Sequence, residues 1–103
     1  MTTIHPHLNV DQQDIAAFCR KWSVAKLWLF GSVVRDDFRP DSDVDVMVEF
    51  VPKAPIDLFD IIEMKYELEE LFGRSVDIVE AGTIRNPFKK RNIERDLTMV
   101  YAA

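Results

Sequence analysis

Gly31-Ser32 is followed, after ten residues, by Asp43-Val44-Asp45, and a further aspartate, Asp77, stands in a later apolar run. Glycine at the end of a strand lets the backbone approach an anion where no β-carbon would be tolerated. The serine beside it can donate both its backbone N–H and its hydroxyl to phosphate oxygens. Asp43 and Asp45, two apart in an extended segment, point to one face with their Cα atoms about 6.6 Å apart. Hard carboxylate oxygens at that spacing suit Mg²⁺, which takes carboxylates and substrate phosphates as ligands. Asp77 supplies a third carboxylate, enough for two ions roughly 3.5–4 Å apart. One ion would activate an incoming hydroxyl, and the other would hold a triphosphate and its departing pyrophosphate. That is the chemistry of moving a nucleotidyl group. Arg35, close in sequence, could neutralise phosphate charge or brace the turn.

Each part has a bland reading. Gly-Ser is an ordinary turn signal. Asp77 could decorate an exposed strand face, and Arg35 could serve a surface ion pair. Asp-x-Asp is more telling, because aspartate is depleted in strands. Specificity comes from the combination: the acidic pair shares a face, and the phosphate-facing residues end a predicted strand.

The elements that must position these residues are readable from periodicity. Asp11 caps a helix from about Gln12 to Trp22, with Ile15, Phe18, Cys19 and Trp22 as its buried stripe. Val24–Phe30 is a strand, apolar on both faces after Lys26 and therefore interior. Val33–Phe38 is a short helix or turn, and a helix starting at Val33 would present its positive end to the same anion. Arg39-Pro40-Asp41-Ser42 is a turn. Asp43–Phe50 is a strand with Val44, Val46, Val48 and Phe50 on one face and Asp43, Asp45, Met47 and Glu49 on the other. A helix from about Ile56 to Phe72 follows, its buried stripe read as Leu58, Ile61, Ile62, Leu68, Leu71 and Phe72, flanked by Phe59 and Tyr66, with Gly73 as C-cap. Ser75–Val79 is the third strand. Asn86-Pro87 starts a last helix whose apolar side is Phe88, Ile93, Leu97, Val100 and Tyr101. The expected fold is α/β (α+β): a small mixed β-sheet flanked by helices.

The 103 residues suit one domain, with residues 1–10, including His5 and His7 around Pro6, expected as a flexible tail. Apolar residues at 48% and charged residues at 30% describe an ordinary soluble globule. A net charge of -5 argues against coating nucleic acid, which needs a surplus of Lys and Arg, so direct nucleic-acid binding is not expected. The single cysteine, Cys19, excludes an internal disulfide and a cysteine metal cluster, and fits a reducing cytoplasm. No secretory leader or membrane-spanning run is apparent. Lys89, Lys90, Arg91 and Arg95 form a basic cluster in the last helix, read as a solvated face or a partner-docking face.

The run GSVVRDDFRPDSDVDVMVEF, followed by SVDIV, resembles the minimal nucleotidyltransferase domains of the polymerase-beta-type superfamily. The resemblance covers almost the whole chain. It assigns Gly31, Ser32 and Arg35 to the nucleotide and Asp43, Asp45 and Asp77 to metal binding and catalysis. Asp36 departs from the glycine that often follows the arginine. The resemblance further implies an antitoxin paired with a HEPN-family ribonuclease toxin, transferring AMP from ATP with Mg²⁺ onto a toxin tyrosine. Asp77 is the candidate to take the acceptor proton. Two alternatives stand beside this: transfer to a small molecule, and a non-catalytic antitoxin or assembly protein that neutralises a toxin by binding.

Overall fold

The computed structural model describes residues 3–35, 39, 42–83 and 87–103, with the side chains of residues 87–89 and 92 outside the description. Expectations for Asp36, for the Pro40-Asp41 centre of the turn, for the Asn86 cap and for the Phe88 and Lys89 side chains lie outside the described residues.

The chain opens with a hairpin, β1 (Thr3–His5) and β2 (Leu8–Asp11), paired antiparallel. This corrects the expected tail: Leu8 and Val10 alternate inward and are buried in the main core. Helix α1 (Gln12–Lys21) follows at once, capped by Asp11, whose carboxylate accepts from the Gln13 N–H at 2.9 Å. Ile15, Phe18 and Cys19 are its buried residues, as the periodicity predicted.

Strand β3 (Val24–Phe30) runs into a four-residue 3₁₀ turn, Gly31–Val34. Strand β4 (Val44–Phe50), helix α2 (Leu58–Phe72), strand β5 (Val76–Glu80), helix α3 (Pro87–Asp96) and strand β6 (Thr98–Ala102) complete the order. The sheet order is β5-β4-β3-β6, with β4 and β5 parallel and the other pairs antiparallel. It is the expected mixed sheet.

The last segment differs from expectation. Leu97, Val100 and Tyr101 do not extend a helix. The helix stops at Asp96, and Thr98–Ala102 pairs with β3. Over so few residues the apolar positions fit either period. The decision falls to β3, an interior strand that needs hydrogen-bonding partners on both edges.

The alternation of β3 and β4 builds two apolar layers. Leu27, Leu29, Val44, Val46 and Val48 face α1 and α2, where Met64, Leu68 and Phe72 complete the main core. Trp28, Phe30 and Met47 face the other way, against Ile93 of α3 and Val79 of β5. The helix α2 is set by a reciprocal capping box between Asp57 and Asp60, with bonds of 3.0 and 2.9 Å. It ends at left-handed Gly73. Of its predicted stripe, Leu68 and Phe72 are buried and Ile61 and Leu71 partly so, but Leu58 and Ile62 are exposed, with Phe59 and Tyr66 beside them; Met64, which the predicted stripe left out, is fully buried. The helix therefore carries two apolar stripes, and only one finds the sheet.

Candidate active site

Strand register assembles the acidic residues. Asp45 of β4 lies opposite Phe30 of β3 on one side and opposite Asp77 of β5 on the other. Gly31 follows Phe30 directly, so the turn and both aspartates meet at one end of the sheet. By alternation their side chains share the α3 face with Met47 and Val79. Asp43 lies two residues before Asp45, just ahead of β4. Asp45 is half-buried, whereas Asp43 and Asp77 are exposed.

Gly31 has a structural reason to be glycine. Its φ is +77°, a left-handed conformation, and a β-carbon there would collide with the Asp45 carboxylate. The glycine thus lets the turn close over the acid. Ser32 follows, half-buried, its carbonyl accepting from the Arg35 N–H at 3.0 Å. Of the two forms expected for Val33–Phe38, a short helix or a turn, Val33 and Val34 take the turn, closing one 3₁₀ turn from Gly31, and residues 36–38 lie outside the described residues. An anion at this turn would meet individual N–H groups and the Ser32 hydroxyl, because so short a segment has little macrodipole.

Arg35 does not simply face the turn. Its guanidinium Nη1 donates to Asp96 Oδ2 of α3 at 2.8 Å. Further contacts brace the same end of the sheet. The His7 ring Nδ1 lies 2.7 Å from the Val33 carbonyl, tying the N-terminal hairpin to the 3₁₀ turn. Arg74 donates to the Arg39 carbonyl at 2.7 Å, and the ends of the predicted Arg39–Ser42 turn are joined by two 3.0 Å bonds, which fix the approach to Asp43. Glu69 of α2 accepts from the Val76 N–H at 2.9 Å, anchoring the strand that carries Asp77.

Among the described residues, no three acidic, histidine or cysteine side chains converge into a ready-made ion cage. Neighbouring carboxylates repel until a cation arrives. The donor set still fits Mg²⁺. It offers only hard oxygens, and Mg²⁺ usually takes one or two carboxylates and fills its shell with water and phosphate oxygens. A groove of about 540 Å³ opens at the opposite ends of β4 and β5, lined by residues that include Glu49, Val51, Leu58 and Glu80. None of the sequence-predicted site residues lines it. No helix among the described residues is long and apolar enough to cross a membrane.

The sequence matches the nucleotidyltransferase domain family over residues 14–100, and the chain belongs to that family. It is 39% identical, over 97% of its length and 100% of the relative's, to a "putative protein adenylyltransferase" of Methanocaldococcus jannaschii. It is 35% identical to the protein adenylyltransferase MntA of Thermococcus cleftensis, over 68% of this chain and 69% of that one. Two solved structures share the fold. A toxin-antitoxin with AMP-PNP superimposes with a TM-score of 0.73 at 17% identity, over 91% of this chain and 75% of the other. A tri-AMPylated Shewanella oneidensis HEPN toxin in complex with an MNT antitoxin gives a TM-score of 0.64 at 16% identity, over 89% and 70%.

Proposed function

We propose that this chain is an antitoxin that transfers AMP from ATP to a tyrosine hydroxyl of a cognate HEPN-family ribonuclease toxin. The observation that carries the reading is the register pairing of Asp45 with Asp77 beside the Gly31-Ser32 turn. The relatives named as protein adenylyltransferases support protein as the acceptor. The neighbouring complexes, one with AMP-PNP and one with an AMPylated HEPN toxin, support ATP as donor and a toxin as target.

In this reaction the acceptor oxygen bonds to the α-phosphorus of ATP. The bond from that phosphorus to the leaving oxygen breaks, and pyrophosphate departs. The acceptor proton passes to a carboxylate oxygen of Asp77. Gly31 and Ser32 bind the triphosphate through backbone N–H groups and the serine hydroxyl. Asp43 and Asp45, joined by Asp77, would hold two Mg²⁺ ions, which neutralise developing charge on the phosphates. The reading places the protein in the cytoplasm, with its ATP. A phosphate diester added near an RNA site opposes the incoming RNA backbone, which is how transfer would silence a ribonuclease.

Intact-mass spectrometry of the toxin after incubation with this protein, ATP and Mg²⁺ tests the proposal. The toxin should gain the mass of one or more AMP groups and lose ribonuclease activity. An unmodified toxin that is nonetheless inhibited on mixing would replace transfer with neutralisation by binding.

A further inference from the structure

Asp96, the last residue of α3, lies 61 residues from Arg35 in sequence and accepts its guanidinium at 2.8 Å. Its side chain is 13% exposed, against 43% for Arg35, so the arginine reaches inward to a carboxylate already set in place. The second oxygen of Asp96 lies 3.6 Å from Arg95 Nε. The Arg35 backbone N–H in turn closes the 3₁₀ turn on the Ser32 carbonyl at 3.0 Å. A continuous line of polar contacts therefore runs from α3 through Arg35 to the turn beside Asp45.

We infer that Asp96 is a positioning residue for the nucleotide: by holding Arg35 it fixes both that guanidinium and the Ser32 turn for the ATP phosphates. The inference rests on the proposed reading of Gly31-Ser32 as the triphosphate seat. A charged, hydrogen-bonded partner is the right device for holding a planar guanidinium.

The sign of the Asp96→Asn effect separates positioning from simple charge. Removing a negative charge near the site should by Coulomb's law tighten binding of polyanionic ATP. Loss of positioning should weaken it. Calorimetric titration with the non-hydrolysable analogue AMP-PNP and Mg²⁺ should show roughly tenfold weaker binding in Asp96→Asn, the size of one lost oriented contact. Steady-state transfer should show KM for ATP rising more than kcat falls, with Asp96→Glu recovering part of the loss. Unchanged or tighter binding by Asp96→Asn overturns the inference.

If Asp96→Asn melts early, the exchanged double variant Arg35→Asp with Asp96→Arg decides. It restores the ion pair but moves the cation to α3. Recovered melting temperature with weak AMP-PNP binding supports positioning, and recovered binding shows that the pair serves only the fold. Wild-type protein that binds no AMP-PNP would remove the triphosphate seat itself, and this inference with it, whereas normal wild-type binding with an indifferent Asp96→Asn removes only the role of Asp96.

Discussion

The Asp45 carboxylate occupies the space that a β-carbon on Gly31 would need. The Gly31-Ser32 turn and the Asp45 carboxylate are therefore one packed unit, and a side chain at position 31 acts on both. Gly31→Ala must move the acid and also hold an L-residue at φ +77°, a cost of roughly 1–3 kcal/mol. Gly31→Val should be worse, since a β-branched residue tolerates that conformation least. Ser32→Ala keeps the backbone donor and loses only the hydroxyl. Thermal melts and transfer assays with labelled ATP should rank Gly31→Val below Gly31→Ala, and Gly31→Ala below Ser32→Ala, in both stability and rate. A Ser32→Ala variant less active than Gly31→Val would place the phosphate contact on the hydroxyl instead.

The paired aspartates make a separate prediction. Asp43→Asn with Asp45→Asn keeps side-chain volume and removes the anionic ligands, so Mg²⁺-dependent ATP binding should be lost while circular dichroism stays native. Excess chelator should reproduce that loss in the wild-type protein. Asp77→Asn should still bind ATP, since Asp43 and Asp45 keep the metal-bound triphosphate, but transfer AMP poorly, because the acceptor proton loses its base. Equal ATP affinity with and without chelator would refute a carboxylate-metal-phosphate site.

Much of this arrangement was legible in the sequence, for a physical reason in each case. The strand Val24–Phe30 has its bounds marked by a run apolar on both faces and by the glycine that follows it, and its limits are those observed. The α2 start moved from Ile56 to Leu58 because Asp57 and Asp60 close a capping box there. Long-range contacts were not legible. Thr98–Ala102 becomes a strand only because β3, some seventy residues earlier, has an open edge. Leu8 and Val10 looked like part of a tail because two alternating residues carry little periodic signal. His7, Arg74 and Asp96 meet partners 26 to 61 residues away, which no local spacing could reveal.

The two apolar stripes of α2 predict opposite responses to substitution. Met64 is fully buried against the sheet, and Met64→Ala should cost about 2–5 kcal/mol through lost contacts and a cavity. Phe59 is 76% exposed, so Phe59→Ser should stay within about 0.5 kcal/mol of wild type. Urea unfolding of both variants measures the contrast. A large loss in Phe59→Ser would mean that this stripe is covered in solution.

Cys19 supplies a pH-dependent test of the main core. Burial pushes its thiol up to about 12, so the folded protein keeps the proton where an unfolded chain has released it. An ordinary thiol titrates near 8.5. The sign follows from proton binding. Below about 8.5 both states are protonated and the thiol adds no pH dependence. Between about 8.5 and 12 the unfolded state holds fewer protons, so stability falls as pH rises, by up to about 1.4 kcal/mol per unit. Tyrosines and lysines titrate in the same range, and the difference between wild type and Cys19→Ala isolates the thiol. Cys19→Ala should be less stable at pH 7, because it leaves a small cavity beside Phe18 and Ile15. Its deficit should shrink at pH 10, because it has no proton to release on unfolding. Native Cys19 should also resist alkylation at pH 8 and react only on denaturant-induced opening. A deficit that stays constant from pH 7 to 10, or rapid alkylation of the folded protein, would place Cys19 in contact with water rather than in the layer between α1 and the sheet.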